Sequence, residues 1–259
     1  MVTVYHSGIK KERTCYNLFM KFAGLGTIVN VLAIIIGGLF GYFLKDRLSD
    51  SLKDTLQKTM GVSTILLGIA GVLEKMLIIT DGAVHAEGSL KMILCLTFGA
   101  IVGELIDLEK QFDRFGEWLK QHSGNSQDNS FLNAFITASL TVSIGAMAII
   151  GSINDGLYQD PTILFAKALL DFSIVLVFAA SLGKGSIYSA IPVGILQGSM
   201  TLLAALIAPL MSAAALDNIA LVGSALIFCV GINLLIGKTV KVANLLPSLL
   251  FAFFAALLF

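Results

Sequence analysis

A chain of 259 residues that is 56% apolar and 13% charged, with a mean hydropathy of +0.89, falls outside the composition of a water-soluble domain, where about a quarter of residues carry charge. Its 17 basic and 17 acidic residues cancel, which leaves no net field to attract nucleic acid or a strongly charged partner. The charges are also uneven: residues 1–129 hold 26 of the 34, so the C-terminal half has room for apolar spans and short links but not for a soluble domain.

The chain opens with a polar extension, residues 1–21, in which Lys10, Lys11, Arg13 and Lys21 precede an apolar run. Basic residues ahead of an apolar run also mark secretory signals, but here 22–44 is uncharged throughout, longer than the roughly 7–15 residues of a signal core. It is expected to stay as a first span. About 20 apolar helical residues cross a hydrocarbon core, and eight windows meet that length or approach it. They are 22–44, 57–79, 89–106, 131–153, 162–182, 186–208, 218–237 and 241–259. The fold class expected is therefore all-α, a polytopic helical membrane protein whose single transmembrane domain runs over 22–259. The second and third windows are candidates for re-entrant segments, because Lys58, Glu74, Lys75, Lys91 and Glu104 crowd them.

Two links read as amphipathic helices lying in the membrane interface, since apolar residues recur at helical spacing among charges. The first, 45–58, carries Leu48, Leu52 and Leu56; the second, 107–121, carries Leu108, Phe112, Phe115 and Leu119 beside Trp118. Plain solvated linkers are the alternative. Each follows a glycine pair, Gly37 with Gly41 and Gly99 with Gly103, and Val62-Ser63 with Gly71 matches Val142-Ser143 with Gly151 in spacing. This suggests a duplicated unit covering 22–80 and 89–155. Asn154-Asp155-Gly156 and Asp160-Pro161 read as the turn between the fourth and fifth spans.

Lys and Arg concentrate in the links after spans one, three, five and seven, whereas the other internal links hold only Lys75 and Lys91. By the positive-inside rule both termini are expected outside, although the basic N-terminal extension points the other way. Cys95 and Cys229 fall within apolar segments, where a free thiol packs as a small hydrophobe, and no disulfide framework is expected.

Several segments carry a resemblance. Gly26-Thr-Ile-Val-Asn30-Val, Gly37-Gly38 with Gly41, and Gly145-Ala-Met-Ala-Ile-Ile-Gly151-Ser-Ile-Asn-Asp155-Gly are similar to a known bacterial membrane family. So are Leu169-Leu-Asp171, Ala180-Ser-Leu-Gly183, Pro192 to Gln197-Gly198 and Val242-Ala-Asn244-Leu-Leu-Pro247. The chain resembles the family known as domain of unknown function 554 over nearly its whole length from about residue 24. The resemblance implies an integral protein of the bacterial inner membrane, described at most as a possible transporter, and it supplies no substrate or catalytic residues.

An ionisable group at mid-membrane costs at least about 2.5–3.5 kcal/mol on insertion scales, so it needs a partner or a role. Asp171, near the centre of the fifth span, is the leading candidate, and Lys167 one helical turn earlier can pair with it. A structural ion pair that fixes packing is the alternative. Glu104 is weaker, at the end of the third span. Asn30, Gln197, Asn233 and Asn244 also lie in apolar runs, where amides serve as interhelical glue or line a binding site. Pro192, Pro247 and Gly183-Lys184-Gly185 mark helix breaks of the kind around which secondary transporters build midplane sites.

The first functional expectation is thus a transporter or channel for a small solute or ion, its site formed by Asp171, Lys167, Asn30, Gln197, Asn233, Asn244 and Glu104. A membrane scaffold, sensor or assembly protein is the alternative, because the glycine faces fit close helix packing as well. No nucleophile and base pair can be assembled, so an enzyme is not expected, and no cofactor is either. His85 and Glu87 near Asp81 form too loose a set to define a metal site. The partners expected are the lipid bilayer, a small solute or ion, and further copies of the chain in a homo-oligomer.

Overall fold

The fold comes from a computed structural model that describes residues 22–80, 83–124, 128, 130–144 and 146–258. The N-terminal extension, with Lys10, Lys11, Arg13, Cys15 and Lys21, lies outside the described residues, as does Asp81.

Helix α1 (Leu25–Lys45) begins after Gly24, whose φ of 98° suits glycine, and ends at Lys45, a cation where the helix dipole favours one. Four residues later the Ser49 hydroxyl accepts the Leu52 N–H and starts α2 (Asp50–Met76). The first expected interfacial helix is therefore not a separate element. Residues 50–58 form the opening turns of α2, because the serine cap and the salt bridges Lys53–Asp50 and Lys58–Asp54 support one unbroken helix. The second window, expected to run to residue 79, stops at Met76. Strand β1 (Leu77–Thr80) follows and pairs antiparallel with β2 (Ala83–Ala86), Leu77 opposite Ala86. β-Branched Ile78, Ile79 and Val84 suit that extended hairpin.

Helix α3 (Ser89–Ile106) turns at Asp107, with φ 54°, into α4 (Leu108–His122). This is the second expected amphipathic helix. Its Leu119 is buried, Phe112 and Phe115 pack beside it, and Gly116 lies against Leu132 and Phe135 of α5 (Phe131–Ser143). After α5 the chain breaks and resumes as α6 (Ala146–Tyr158), bent by 63°. Asn154, Asp155 and Gly156 belong to α6, so the expected turn falls later, at Gln159 and Asp160, where the Asp160 carboxylate accepts the Thr162 N–H. Helix α7 (Thr162–Ser181) ends before Gly183, a 3-10 turn spans Lys184–Ser189, and α8 (Ala190–Leu202) follows. A 67° bend separates it from the short α9 (Ala204–Ile207). Helix α10 (Ala213–Ile236), capped by the Ser212 hydroxyl, then leads to α11 (Val242–Leu245) and α12 (Pro247–Leu258). Pro192 sits in the first turn of α8 and Pro247 opens α12, so both initiate helices rather than kink them.

Five helices, α1, α2, α3, α7 and α10, are long and apolar enough to cross a membrane, and the two bent pairs raise the number to seven. The shorter apolar stretch Val242–Ala256 fills the eighth window. The second and third windows, suspected of being re-entrant, are single helices, whereas the breaks fall in the fourth and sixth. Both bent pairs nevertheless pass from one end of the bundle to the other. At one end Gly185 lies on the Phe131 carbonyl, Ile187 lies on Gly38, and Lys238 and Lys241 bind Glu109 and Glu104. At the opposite end Asp155 reaches Gly26, Thr201 reaches Thr27, and Lys75 binds Asp217. We call these the lysine-rich and lysine-poor ends.

Glycine sets the closest approaches. A Cβ on Gly37 would lie 2.5 Å from the Phe172 carbonyl oxygen, and one on Gly41 would collide with the Leu176 carbonyl, so α1 lies backbone to backbone along α7 and parallel to it. Gly99 and Gly103 bring α3 equally close to Ser248 and Asn244, but antiparallel. The two stretches proposed as a duplication thus differ in how their glycine pairs pack, and α2 is unbroken where α5–α6 is bent.

Candidate functional site

Lys167 and Asp171 occupy successive turns of α7 on the face turned into the bundle, with side chains 8% and 4% exposed, so neither ion is hydrated by bulk water. The Lys167 ammonium donates to Asp171 Oδ2 at 2.6 Å and Oδ1 at 2.8 Å. Its third bond, 2.7 Å, goes to the Val142 carbonyl. That carbonyl is free because α5 ends at Ser143; in a continuous helix it would accept the N–H four residues on. The break inside the fourth window therefore supplies a cation ligand at the negative end of a half-helix.

Asn30 of α1 completes the group. Its Nδ2 donates to Asp171 Oδ2 at 2.9 Å and to Gln197 Oε1 of α8 at 3.2 Å. Asn30 and Gln197 are fully buried, yet Asn30 Oδ1 and Gln197 Nε2 have no hydrogen-bond partner among the described residues. Ser139 and Ser143 Oγ of α5 share that condition. Buried polar atoms are nearly always bonded, so Asn30 and Gln197 each retain the capacity for one further partner.

Toward the lysine-poor end lies a second polar layer. Asp155 of α6, fully buried, accepts the Gly26 N–H at 2.9 Å, with the Gly24 and Thr27 N–H groups also directed at its carboxylate, and so caps the start of α1. The Thr27 and Thr201 hydroxyls meet at 3.5 Å, and Thr201 donates to the Ser152 carbonyl at 3.2 Å.

The remaining candidates sit elsewhere. Asn244, on α11 at the lysine-rich end, donates to Glu104 at 2.6 Å and accepts the Glu109 N–H at 2.7 Å, fastening the α3–α4 junction to α11. Asn233 closes the loop after α10, accepting the Thr239 and Val240 N–H groups and donating to the Val240 carbonyl. Neither residue, nor Glu104, joins the central group, because the chain reverses at this end and their bonds satisfy the exposed backbone there. A cavity of about 290 Å³ also opens at this end, lined by polar Gln57, Asp113 and Lys238 and by apolar Leu132, Ile136 and Val230 among others. Burial lowers the Lys238 pKa, but the bond to Glu109 and the charges of Glu109 and Asp113 outweigh it and leave the ammonium above its ordinary value. The Lys241 ammonium is raised too, by its bond to Glu104.

Residues 25–257 match the family described as protein of unknown function (DUF554). The chain belongs to that family. It is 29% identical over 232 residues to the uncharacterized protein YqgA of Escherichia coli strain K12, covering 88% of this chain and 94% of the relative. It is equally 29% identical over 225 residues to the uncharacterized membrane protein YdfK of Bacillus subtilis strain 168, covering 87% and 92%. No solved structure matches. With the apolar helices described above, these findings make the protein a multi-pass helical membrane protein.

Of the seven residues expected in the site, Asp171, Lys167, Asn30 and Gln197 meet. Two participants were missed in the sequence. Val142 contributes only a carbonyl, which no side-chain type in the sequence signals. Asp155 was read as a turn residue because Asn-Asp-Gly is ordinary turn chemistry.

Proposed function

We propose that this protein is a transporter or channel for a small solute or ion in the bacterial inner membrane, working through the Lys167–Asp171 pair and the Asn30 and Gln197 amides. One observation carries the reading: a buried ion pair mid-way along α7 is bound by the Asn30 side chain of α1, itself bonded to Gln197 of α8, and by the broken end of α5. Buried intramembrane charge is costly and is characteristic of substrate and ion pathways. Broken helices with exposed carbonyls at membrane depth are a common transporter device. The activity proposed is binding and passage, with no covalent chemistry and no cofactor.

In the same reading the lysine-rich end faces the cytoplasm, which puts both termini outside. The family's occurrence in two bacteria supports the bacterial membrane. The homo-oligomer expected from the glycine faces needs other surfaces, because Gly37, Gly41, Gly99 and Gly103 all pack within the chain. That same packing favours the second reading, a scaffold or sensor in which close helix contact is the purpose.

The test is thermal stability of the purified protein in mild detergent against cations, anions, amino acids and carboxylates at several pH values, with Asp171→Asn alongside. A ligand at a hundredfold excess over its dissociation constant stabilises the folded state by about 2.7 kcal/mol. A selective shift lost in Asp171→Asn supports transport and names the solute to test in liposomes. A flat panel with both proteins folded moves the weight to the scaffold reading.

A further inference from the structure

The polar groups around α1 form layers, and the layers are not symmetric along the bundle. From the lysine-poor end inward come Asp155 at Gly26, then Thr27 with Thr201, then Asn30 with Gln197 and Asp171. Thr27 and Asn30 are three residues apart on α1, and Thr201 and Gln197 four apart on α8, so successive layers lie one helical turn from each other. One turn further in, everything changes. Ile34 follows Asn30, Val175 follows Asp171, and Val193 replaces Gln197; with Val142 and Ala190 they form a fully buried apolar cluster. Beyond it, toward the lysine-rich end, buried hydroxyls return at Ser139, Ser186 and Ser189.

We infer that protons are the coupling ion, reaching Asp171 from the lysine-poor end along the Asp155, Thr27–Thr201 and Asn30–Gln197 layers, and that the Ile34–Val142–Val175–Val193 layer is the gate closing the path to the other side. This rests on the transport reading and names its ion and the side open in this structure. Asn30, Gln197 and Asp171 are 0–2% exposed, against 7% for Thr27 and Thr201, so no solute passes the inner layer without helix separation, whereas a proton needs only hydrogen-bonding groups and single waters. The unpartnered Asn30 Oδ1 and Gln197 Nε2 lie on this path. A hydronium ion arriving along the path gives its proton to an Asp171 oxygen and is left as water; the neutral acid then releases Lys167, whose ammonium keeps the Val142 carbonyl.

The charged groups on the elements around α7 lie away from the depth of the pair. On α1 there is Lys45 at its end, and on α6 Asp155 at Gly26. On α2 the charges are Asp50, Lys53, Asp54, Lys58, Glu74 and Lys75 near its two ends, and the 3-10 turn adds Lys184; α5 and α8 have none.

Two measurements on the full chain in liposomes test this. Single cysteines at Thr27, Thr201, Ile34 and Val193, with the native cysteines replaced by alanine, are exposed to a small water-soluble thiol reagent. Thr27→Cys and Thr201→Cys label, whereas Ile34→Cys and Val193→Cys do not. Uniform labelling overturns the gate, and labelling of none overturns the water path. With a pH-sensitive dye inside, Ile34→Ser opens a proton leak that is lost again in Ile34→Ser/Asp171→Asn. Should Ile34→Ser not fold, Val193→Ala serves. A folded gate variant without leak, or a leak that survives Asp171→Asn, overturns the inference. If a solute from the stability panel still moves while protons do not, the proton assignment falls and transport stands; if a leak appears but no solute binds or moves, transport falls.

Discussion

Lys167 Nζ lies 2.6 Å from Asp171 Oδ2 and 2.7 Å from the Val142 carbonyl, so one ammonium ties α7 to the broken end of α5. Removing one partner strands a buried charge. Asp171→Ala is expected to destabilise by about 3–5 kcal/mol, whereas Lys167→Met/Asp171→Leu, which removes both charges, returns to near wild-type stability. Thermal unfolding in detergent checks this. A double variant as unstable as the single one would show that the pair's surroundings, not the lone charge, set the cost.

The α1–α7 contact makes a sharper packing prediction. Gly41→Ala drives a methyl into the Leu176 carbonyl and is expected to cost about 1–3 kcal/mol as overpacking. Gly198→Ala on α8 has nothing within 4 Å of the new methyl and is expected to gain up to about 1 kcal/mol from helix propensity. Parallel melting curves of the two variants decide it.

Asp155 acts across the bundle as the cap of α1. Asp155→Ala leaves the Gly26 N–H without its acceptor and is expected to cost about 0.5–2 kcal/mol. Hydrogen exchange should show the loss first in the opening turn of α1; unchanged protection there would remove the capping role.

At the lysine-rich end, the Lys241 pKa is raised from 10.5, first by its bond to Glu104 and then by that residue's charge. A raised folded-state value means the contribution is complete below 10.5 and lost as pH rises through the raised value. The stability difference between wild type and Lys241→Met should therefore be constant near neutrality and close in strong alkali. A difference that grows with pH would contradict the sign.

Asn244 holds both Glu104 and the Glu109 N–H. Asn244→Ala is expected to cost about 1–3 kcal/mol, because a buried backbone donor loses its partner. Its effect on any solute-induced thermal shift should be small, since it lies apart from the central pair.

What the sequence determined by itself was the solvent. Runs of about 20 uncharged residues can satisfy their backbone in lipid only as helices, so the membrane class and the eight windows followed from composition and spacing. The pairing of Lys167 with Asp171 was legible for the same local reason, since residues four apart on a helix share a face. Tertiary structure decided the rest. Asn30 joins that pair because α1 lies along α7, and Gln197 reaches it only through Asn30 because α8 packs on α1; no spacing along the chain encodes which helices become neighbours. Asn233 and Asn244 looked identical to them in sequence, yet they fasten chain reversals at the lysine-rich end. Asp155 and the Val142 carbonyl act through a cross-bundle cap and a helix break. Both depend on packing between segments distant in the chain, where each buried polar group must find its partner.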